Sequence, residues 1–411
     1  MRCSPVLIVL TLSCVTPKAE RCAELQTSLE QCIGSKVPQL DCSNVSDADL
    51  ERVRTLTRSM SCDVLVGALP IDGDVASAAC RIANIGCVAP VTPKPIRNPA
   101  RLPVLLVNGI DTSPLFRYSQ RIQTMMTEAG GHTVFLATLT PYESPRRRAP
   151  ELWARINAVR EATGAAKVNL ICHSLGGLDC RYLVSPHGLT LDLGGEVARR
   201  EIAASVATIT TIGTAHRGTR VADVMLGLTP DDHRAQLVND FATLAGDWFS
   251  AEALEHDVHL REALQALTTS EAITFNAEID DAPGIEYQSF AGVSRPFGEA
   301  TAEHDARMRD VCTKSDGHDG LLGFGRHDFM ALTLVPFTDT VGHATGTSPF
   351  EPNDGLSAVS SARWANFRGC IPADHMEQLG ERNIPDVNVV NGFDVARFYT
   401  NIASDLAARG F

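Results

Sequence analysis

The chain has 411 residues, 44% of them hydrophobic and 21% charged, and carries a formal net charge of −13 at pH 7. This composition is that of a globular protein with a hydrophobic core, and the length is enough for one large α/β domain and a smaller module. The acidic balance argues against a nucleic acid as partner.

The N-terminus predicts an export signal over residues 1–14. Arg2 precedes an apolar stretch at residues 5–13, which is too short to cross a bilayer but fits the apolar core of such a signal. The end of the stretch resembles a bacterial lipoprotein signal, in which Cys14 would be lipidated and attached to a membrane, although Thr11 stands where leucine is usual. Ordinary signal cleavage is the alternative. We expect an exported bacterial protein that is secreted, periplasmic or an outer-membrane lipoprotein.

Residues 20–88 predict a small helical module that disulfides hold together. Helix-like patterns alternate there with six of the chain's twelve cysteines, at positions 22, 32, 42, 62, 80 and 87. A dense, even-numbered cluster indicates a disulfide framework formed in an oxidising compartment, which agrees with export. No C-x-x-C pair occurs, so zinc binding is disfavoured. Residues 89–100 are proline-rich and predict a stiff linker.

Residues 101–411 predict one large domain with a mostly parallel sheet flanked by helices, because apolar strand-like runs alternate with amphipathic segments. The predicted strands are residues 102–107, 133–139, 168–171, 206–212, 286–293 and 364–371, and the predicted helices include 115–129, 150–162 and 393–408. Residues 219–282 contain no strand-like run and predict a helical insertion. This insertion is either a hinged lid over an active site or a plain structural layer.

A serine at the end of the third predicted strand is the strongest single signal for chemistry. Ser174 lies in the sequence C-H-S-L-G, between an apolar run and a helix-like segment. A serine bracketed by small residues at such a junction is typical of a nucleophile elbow. Cys172 stands where the G-x-S-x-G pattern has glycine, but its side chain is small enough to fit the turn. We therefore predict that Ser174 is a nucleophile.

A nucleophilic serine needs a base and an acid, which α/β-hydrolases carry in the order serine, acid, histidine. Of the twelve histidines only His375 lies beyond the acid candidate Asp354, and it follows a strand-like run. The competing acids are Asp374, Asp280 and Asp281. Main-chain amides would hold the oxyanion: the N–H of Leu175, after the serine, and the N–H of Ile110, in the loop after the first strand.

Four segments in the same order resemble the bacterial secreted triacylglycerol lipases of the Pseudomonas and Burkholderia type, in the α/β-hydrolase superfamily. They are the elbow and residues 211–218, 353–356 and 374–376. The similarity covers about residues 101–220 and 350–411. The resemblance implies an α/β-hydrolase fold for the catalytic domain, with a helical lid over an acyl pocket. It implies the catalytic residues Ser174, Asp354 and His375.

The chain keeps some features of that family and departs from others. Cys312 and Cys370 flank the Asp354 region, as the family's single disulfide does. Asn108 stands where the family has the histidine of its His-Gly oxyanion motif. The family binds calcium through an aspartate two residues past the catalytic histidine, where this chain has Glu377, so a structural calcium is doubtful. Residues 316–320 could bind a metal, but solvated turns explain them more simply. We expect no required cofactor.

The sequence thus predicts an exported lipase or esterase that acts on lipids or other carboxylic esters through an acyl-enzyme on Ser174. A depolymerase of polyesters such as polyhydroxyalkanoates, or an acyltransferase, would use the same chemistry. A different class of function is a non-catalytic surface lipoprotein that keeps a hydrolase fold for binding. A complete set of serine, acid and base disfavours that last alternative.

Overall fold

The computed structural model describes most of the chain from residue 98 onward and part of the N-terminal module. The described residues are 17–33, 40, 42–43, 46–47, 50–51, 54, 98–112, 116–189, 196–229, 234–245, 254, 256–294, 302–312, 330, 334–342, 351–380 and 393–411. The predicted export signal, the predicted linker up to residue 97 and residues 316–320 lie outside these ranges. No helix within these ranges is long and apolar enough to cross a membrane.

Six strands of the described chain form a parallel sheet. They are β1 (Val104–Val107), β2 (Val134–Ala137), β3 (Val168–His173), β4 (Val206–Ile212), β5 (Glu286–Gly292) and β6 (Asn366–Ile371). Their order across the sheet is β2-β1-β3-β4-β5-β6. Every residue of β1, β3 and β4 is buried, as expected for parallel strands covered on both faces. The predicted α/β-hydrolase fold is confirmed.

Helices flank this sheet on both faces. The helices in the described ranges, including α1 of the N-terminal module, are α1 (Lys18–Ile33), α2 (Gln120–Thr124), α3 (Pro145–Thr163), α4 (Leu175–Val184), α5 (Glu196–Ala204), α6 (Arg220–Met225), α7 (Arg234–Ala245), α8 (Val258–Gln265), α9 (Thr269–Glu278), α10 (Ala302–Val311), α11 (Val335–Gly342), α12 (Val359–Ala362) and α13 (Val395–Ala408). A π-helical turn, Met125–Ala129, continues α2, and a 3₁₀-helix spans Glu377–Leu379.

Two helices begin elsewhere than the sequence predicts. α2 begins later, at Gln120, because the Ser119 hydroxyl accepts a hydrogen bond from the Ile122 amide and caps the helix there. α3 begins earlier, at Pro145, because a proline at the first helical position lacks only an N–H that would have no partner in the helix. The prediction placed this start at Pro150, which instead lies inside the helix.

The predicted insertion at residues 219–282 is helical where it is described, as α6, α7, α8 and α9. Val221, Leu260 and Leu264 belong to the same buried hydrophobic cluster as residues of β1 and β3. The Thr219 amide donates to Leu267 O at 2.8 Å and so joins the start of the insertion to its interior. Whether the insertion acts as a lid or as a structural layer stays a prediction.

The other face of the sheet is covered by α13. Asp394 caps this helix by accepting a hydrogen bond from the Arg397 amide at 3.1 Å. The same carboxylate receives two bonds from Arg121 of α2, at 2.7 and 2.8 Å. Phe290 of β5 packs edge-on against Phe398, with ring centroids 5.0 Å apart. Strong contacts therefore fix the sheet from this side as well.

The described part of the N-terminal module is helical and contains a disulfide. Cys22 of α1 pairs with Cys42, and the two residues lie beside the buried Leu25 and Leu50. This pairing agrees with the predicted disulfide framework. The side chain of Cys32 and the cysteines at positions 62, 80 and 87 lie outside the described part of the chain.

Candidate active site

Ser174 lies at the carboxyl ends of the central strands, where open α/β sheets place their sites. Cys172 of β3 pairs with Val107 of β1 across the sheet, and the Ser174 amide donates to Ile212 O of β4 at 3.0 Å. The backbone at Ser174 has φ 53° and ψ −129°, a conformation that few residues with a side chain adopt. This sharp turn between β3 and α4 points a half-buried serine away from the sheet.

Small residues let the backbone pass close to the turn. A Cβ on Gly176 would lie 2.5 Å from Asn108 O, so only glycine fits there. At the position where the pattern has its first glycine, Cys172 forms a disulfide with Cys180 of α4, and both cysteines are fully buried. This disulfide ties the strand before the serine to the helix after it. The sequence predicts only that the small side chain of Cys172 fits the turn, and nothing in it indicates the pairing with Cys180.

A chain of hydrogen bonds joins the three predicted triad residues. Ser174 Oγ lies 2.9 Å from His375 Nε2, and His375 Nδ1 lies 2.8 Å from Asp354 Oδ2. His375 is 3% exposed and Asp354 is fully buried. A carboxylate can only accept, so Nδ1 carries the imidazole proton and Nε2 is left to accept the serine proton. The structure thus brings together three residues that are far apart in the sequence.

The Asp354 carboxylate is fully engaged. Its Oδ1 accepts from the amides of Leu356 and Ser357 at 3.0 and 2.7 Å, within the Asn-Asp-Gly turn. Its Oδ2 accepts from Gln378 Nε2 at 2.8 Å in addition to His375. Four donors therefore satisfy and orient a carboxylate that burial would otherwise destabilise. The sequence analysis missed Gln378, which no motif distinguishes.

The competing acids have other partners. Asp374 Oδ1 accepts from the amides of Met376 and Glu377 at 2.8 and 2.9 Å, so it caps the turn after β6. Asp281 accepts from Trp364 Nε1 at 3.1 Å. Asp280 lies 3.5 Å from the exposed His187. Of the acid candidates, Asp354 is the one that contacts the His375 ring.

A second histidine supports the first. His173 Nε2 donates to His375 O at 3.1 Å, and the two ring centroids are 4.6 Å apart. Complete burial, with the neighbouring His375, holds the pKa of His173 well below its usual value, so its ring is neutral. His173 thus fixes the main chain of His375 without adding charge beside it. Sequence reasoning missed this contact because the residue is only the variable position of the elbow.

The two predicted oxyanion donors lie on either side of Ser174. Leu175 is the first residue of α4, so its N–H has no acceptor within the helix. Ile110 lies in the loop after β1, and its N–H donates to no other described residue. A Cβ on Gly109 would lie 3.0 Å from Ser174 Cβ, so this loop passes directly beside the serine. Both amides belong to backbone that borders the nucleophile.

Glu377 stands where the family has one of its calcium-binding aspartates, and in this structure it makes a contact within the chain. Glu377 Oε2 accepts a hydrogen bond from the Asp374 amide at 3.1 Å, so this carboxylate completes a capping pair around the 3₁₀-helix. Within the described ranges no three His, Cys, Asp or Glu side chains are grouped as metal ligands.

Cys312 of the segment after β5 pairs with Cys370 of β6, with a Cα–Cα distance of 5.4 Å. This is the pairing that the resemblance implies. The disulfide closes a stretch of 58 positions that contains Asp354, and it ends close to the loop that carries His375. It therefore restrains the segment that brings the acid to the base.

Comparison with known proteins shows the family to which the chain belongs. The chain is 34% identical over 196 residues to triacylglycerol lipases of Pseudarthrobacter phenanthrenivorans and Burkholderia plantarii, covering 44% of this chain and 55% and 49% of those proteins. It is 32% identical over 301 residues to a triacylglycerol lipase of Vibrio cholerae, covering 68% of this chain and 80% of that protein. The chain belongs to the triacylglycerol lipase family. It spans about half the length of the first two lipases.

Two further comparisons do not bear on the family of this chain. No family model matches it. Among solved structures, EstA from Clostridium botulinum has a TM-score of 0.49 at 16% sequence identity, covering 84% of this chain and 96% of that chain. The family assignment therefore rests on the sequence relatives.

Proposed function

We propose that this chain is a serine-dependent carboxylic-ester hydrolase, a lipase or esterase, in which Ser174 is the nucleophile, His375 the base and Asp354 the acid. The hydrogen-bond chain from Ser174 Oγ through the His375 ring to Asp354 Oδ2 carries the proposal, with distances of 2.9 and 2.8 Å. Nucleophile, base and orienting acid within hydrogen-bond reach are the arrangement that activates a serine.

The reaction begins when Ser174 Oγ attacks the ester carbonyl carbon and its proton passes to His375 Nε2. The carbonyl oxygen becomes an oxyanion that accepts hydrogen bonds from the N–H groups of Leu175 and Ile110. Collapse of this intermediate breaks the ester bond, and His375 protonates the leaving alcohol. His375 then takes a proton from water, whose oxygen attacks the acyl carbon and forms a second tetrahedral intermediate. When this intermediate collapses, the bond between the acyl carbon and Ser174 Oγ breaks, His375 returns its proton to Ser174 Oγ, and the carboxylic acid leaves. Asp354 stabilises the imidazolium in both halves of the reaction.

The substrate class we propose is a lipid or another carboxylic ester, in keeping with relatives named triacylglycerol lipase. A polyester depolymerase or an acyltransferase would use the same acyl-enzyme and differ only in the ester bound or in the acceptor alcohol. A chain-length series of nitrophenyl esters, with and without emulsified triglyceride, measures the preferred acyl chain and separates a lipase from an esterase. Hydrolysis of a polyhydroxyalkanoate and acyl transfer to an added alcohol test the other two activities. A binding protein without catalysis would hydrolyse none of them.

Substitution of the nucleophile tests the proposal. We expect Ser174→Ala to abolish ester hydrolysis and labelling by a fluorophosphonate while the far-UV spectrum stays unchanged. His375→Ala should lower kcat by about 10²–10⁴ because the general base is lost. Ser270→Ala, at an exposed serine of α9, is the matched control and should keep full activity. Near-wild-type hydrolysis by Ser174→Ala, or a fluorophosphonate adduct elsewhere, would contradict the assignment.

We also propose export, with attachment to a membrane through a lipidated Cys14. The support is the apolar stretch at residues 5–13 and the cysteine cluster of the N-terminal module. Expression of the full chain in a bacterium with a labelled fatty acid tests this directly. Label on the wild type and its loss in Cys14→Ser would support lipidation, and unlabelled protein in the medium would indicate ordinary cleavage. Wild-type chain retained in the cytoplasm would contradict export.

The proposed reaction requires no cofactor. A structural calcium would raise the melting temperature, because an ion that binds only the folded chain stabilises it by mass action. We expect a chelator to leave both the melting temperature and ester hydrolysis unchanged. A drop in either that added calcium restores would contradict this expectation.

A further inference from the structure

The side chain of Asn108 is enclosed by the loop that follows β1. It is buried, with 5% of its surface exposed. Its Oδ1 accepts a hydrogen bond from the Leu139 amide at 2.7 Å. Its Nδ2 donates to Gly109 O at 3.0 Å and to Asp111 O at 3.4 Å. One side-chain amide therefore joins main-chain groups of two loops beside Ser174.

The bond to Gly109 O fixes the direction of the Ile110 N–H. In a trans peptide the C=O of one residue and the N–H of the next lie in the same plane and point in opposite directions. Gly109 O and the Ile110 N–H share such a plane, so a donor that holds this oxygen also sets the direction of the amide. Glycine would otherwise leave the plane free to rotate, because it adopts many backbone conformations.

The preceding peptide plane is held by a different group. Arg148 Nη2 donates to Asn108 O at 3.0 Å and lies 3.2 Å from Asp179 Oδ2 of α4. Both charged side chains are fully buried. A Cβ on Gly176 would lie only 2.5 Å from Asn108 O, so the backbone at Gly176 packs directly against this carbonyl. The carbonyl is therefore held from two sides, by Arg148 and by Gly176. The plane that carries the Ile110 amide therefore depends on the Asn108 side chain and not on the arginine.

We propose that Asn108 is a positioning residue that aims the Ile110 N–H at the oxyanion through its bond to Gly109 O. The inference rests on the proposed function, because it concerns the same reaction. A misdirected Ile110 amide leaves the Leu175 N–H as the remaining main-chain donor. Since the oxyanion forms in the transition state and not in the bound ester, the loss falls on kcat and leaves KM nearly unchanged.

Substitutions at Asn108 test this role. Asn108→Asp keeps the acceptor for the Leu139 amide but replaces the donor to Gly109 O with a second oxygen. We expect its kcat per fluorophosphonate-titrated site to fall about 10²-fold, with KM within about threefold of wild type. The affinity for an alkylboronic acid, which forms a tetrahedral adduct on the serine, should fall in parallel. Asn108→Ala removes the same donor without burying a charge and should show the same split.

A conservative variant that keeps the donor should retain much of the wild-type kcat. In Asn108→His the ring Nδ1 is bonded to Cγ, as the amide Nδ2 is, so its N–H can reach Gly109 O. We expect kcat within about tenfold of wild type. The matched control is Asn169→Asp, which replaces a buried amide with a carboxyl group in the neighbouring β3. Asn169 Oδ1 accepts a hydrogen bond from the Thr208 hydroxyl at 3.0 Å. The control should lower stability while kcat per titrated site stays at the wild-type value.

The outcomes separate this inference from the proposed function. Wild-type chain without esterase activity or a Ser174 adduct would overturn both. Active wild-type chain with Asn108→Asp and Asn108→Ala that keep kcat within about twofold, or lose kcat/KM through KM alone, would overturn only the role of Asn108. If Asn108→Asp does not fold, Asn108→Ala and Asn108→His give the decision by the same measurements.

Discussion

Ser174 lies in a backbone conformation that disfavours any side chain, with φ 53° and ψ −129°. Such strain costs about 1–3 kcal/mol in a residue other than glycine. A glycine at this position relieves the strain, but it lowers the free energy of unfolding by about 0.4–1 kcal/mol because the unfolded chain gains conformational entropy. The strain is the larger quantity, so we expect Ser174→Gly to unfold in urea with about 1 kcal/mol more free energy than Ser174→Ala. Both variants lack the nucleophile, so the comparison isolates the backbone.

The same pair of side chains at an ordinary helical position should give the opposite sign. Ala154 lies exposed in the middle of α3. Ala154→Gly should lower the free energy of unfolding by about 0.5–1 kcal/mol, since glycine weakens a helix. A Ser174→Gly variant that is less stable than Ser174→Ala would show that the turn stores no such strain.

The sequence predicts residues whose chemistry and order are distinctive, and it misses residues that act through contacts alone. Ser174 and His375 follow from a motif and from the order of the chain. His173 does not, because its bond to His375 O joins positions 202 apart. Gln378 and Asn108 are ordinary amides until the fold places one beside the Asp354 carboxylate and the other beside Gly109 O.

At the scale of elements, hydrophobic periodicity was enough to predict the sheet and the helical insertion. Strands buried on both faces tend to be continuous apolar runs, as β1 is, whereas β3 contains the polar Asn169. The predicted start of α3 at Pro150 is wrong, because the helix begins at Pro145, where a proline also fits the first turn. The Cys172–Cys180 pairing could not be read from spacing, since it depends on how sharply the elbow turns β3 into α4.

The two disulfides of the large domain should differ in their contribution to stability. Cys172–Cys180 closes 8 positions and Cys312–Cys370 closes 58. A longer closed loop removes more entropy from the unfolded chain, which gives about 2.5 kcal/mol for the first disulfide and about 4 kcal/mol for the second. We expect urea unfolding of Cys312→Ala/Cys370→Ala to show the larger loss. The Cys172→Ala/Cys180→Ala variant is the matched comparison.

Equal losses, or a larger loss in the elbow variant, would contradict the entropic argument for these two disulfides. Such a result would mean that the elbow disulfide acts mainly on the folded state, by holding β3 against α4. The slope of unfolding free energy against urea concentration should be checked in each variant, because a change there reports an altered unfolded state.

For the whole molecule, buried titratable groups set how stability responds to pH. His173 and His216 are completely buried, and burial holds the pKa of each well below its usual value. Arg181 Nη1 lies 3.3 Å from His216 Nδ1, so a proton there would face a guanidinium. Burial also raises the pKa of Asp179 to about 7, against the attraction of Arg148. On acidification the two histidines lower the stability of the folded chain and the aspartate raises it.

Below about pH 6.5 the unfolded chain binds a proton at each of these histidines and the folded chain does not, so stability falls. Each of these histidines lowers the free energy of unfolding by up to about 1.4 kcal/mol per pH unit of acidification. Asp179 binds its proton in the folded chain before the unfolded chain does, so it raises the free energy of unfolding and offsets about one histidine. We therefore expect the free energy of unfolding to decline from pH 6 to 5, and His132, whose pKa burial also lowers, adds to this decline.

Replacement of one buried histidine tests this balance. His216→Gln removes the contribution of one buried histidine. Its free energy of unfolding should therefore decline less steeply than that of wild type between pH 6 and 5, by up to about 1.4 kcal/mol per pH unit, whatever its stability at pH 7. His187→Gln is the control, because that side chain is 63% exposed and should leave the slope as in wild type. Urea unfolding at several pH values measures all three slopes. Parallel wild-type and His216→Gln slopes would mean that His216 takes up its proton equally in both states.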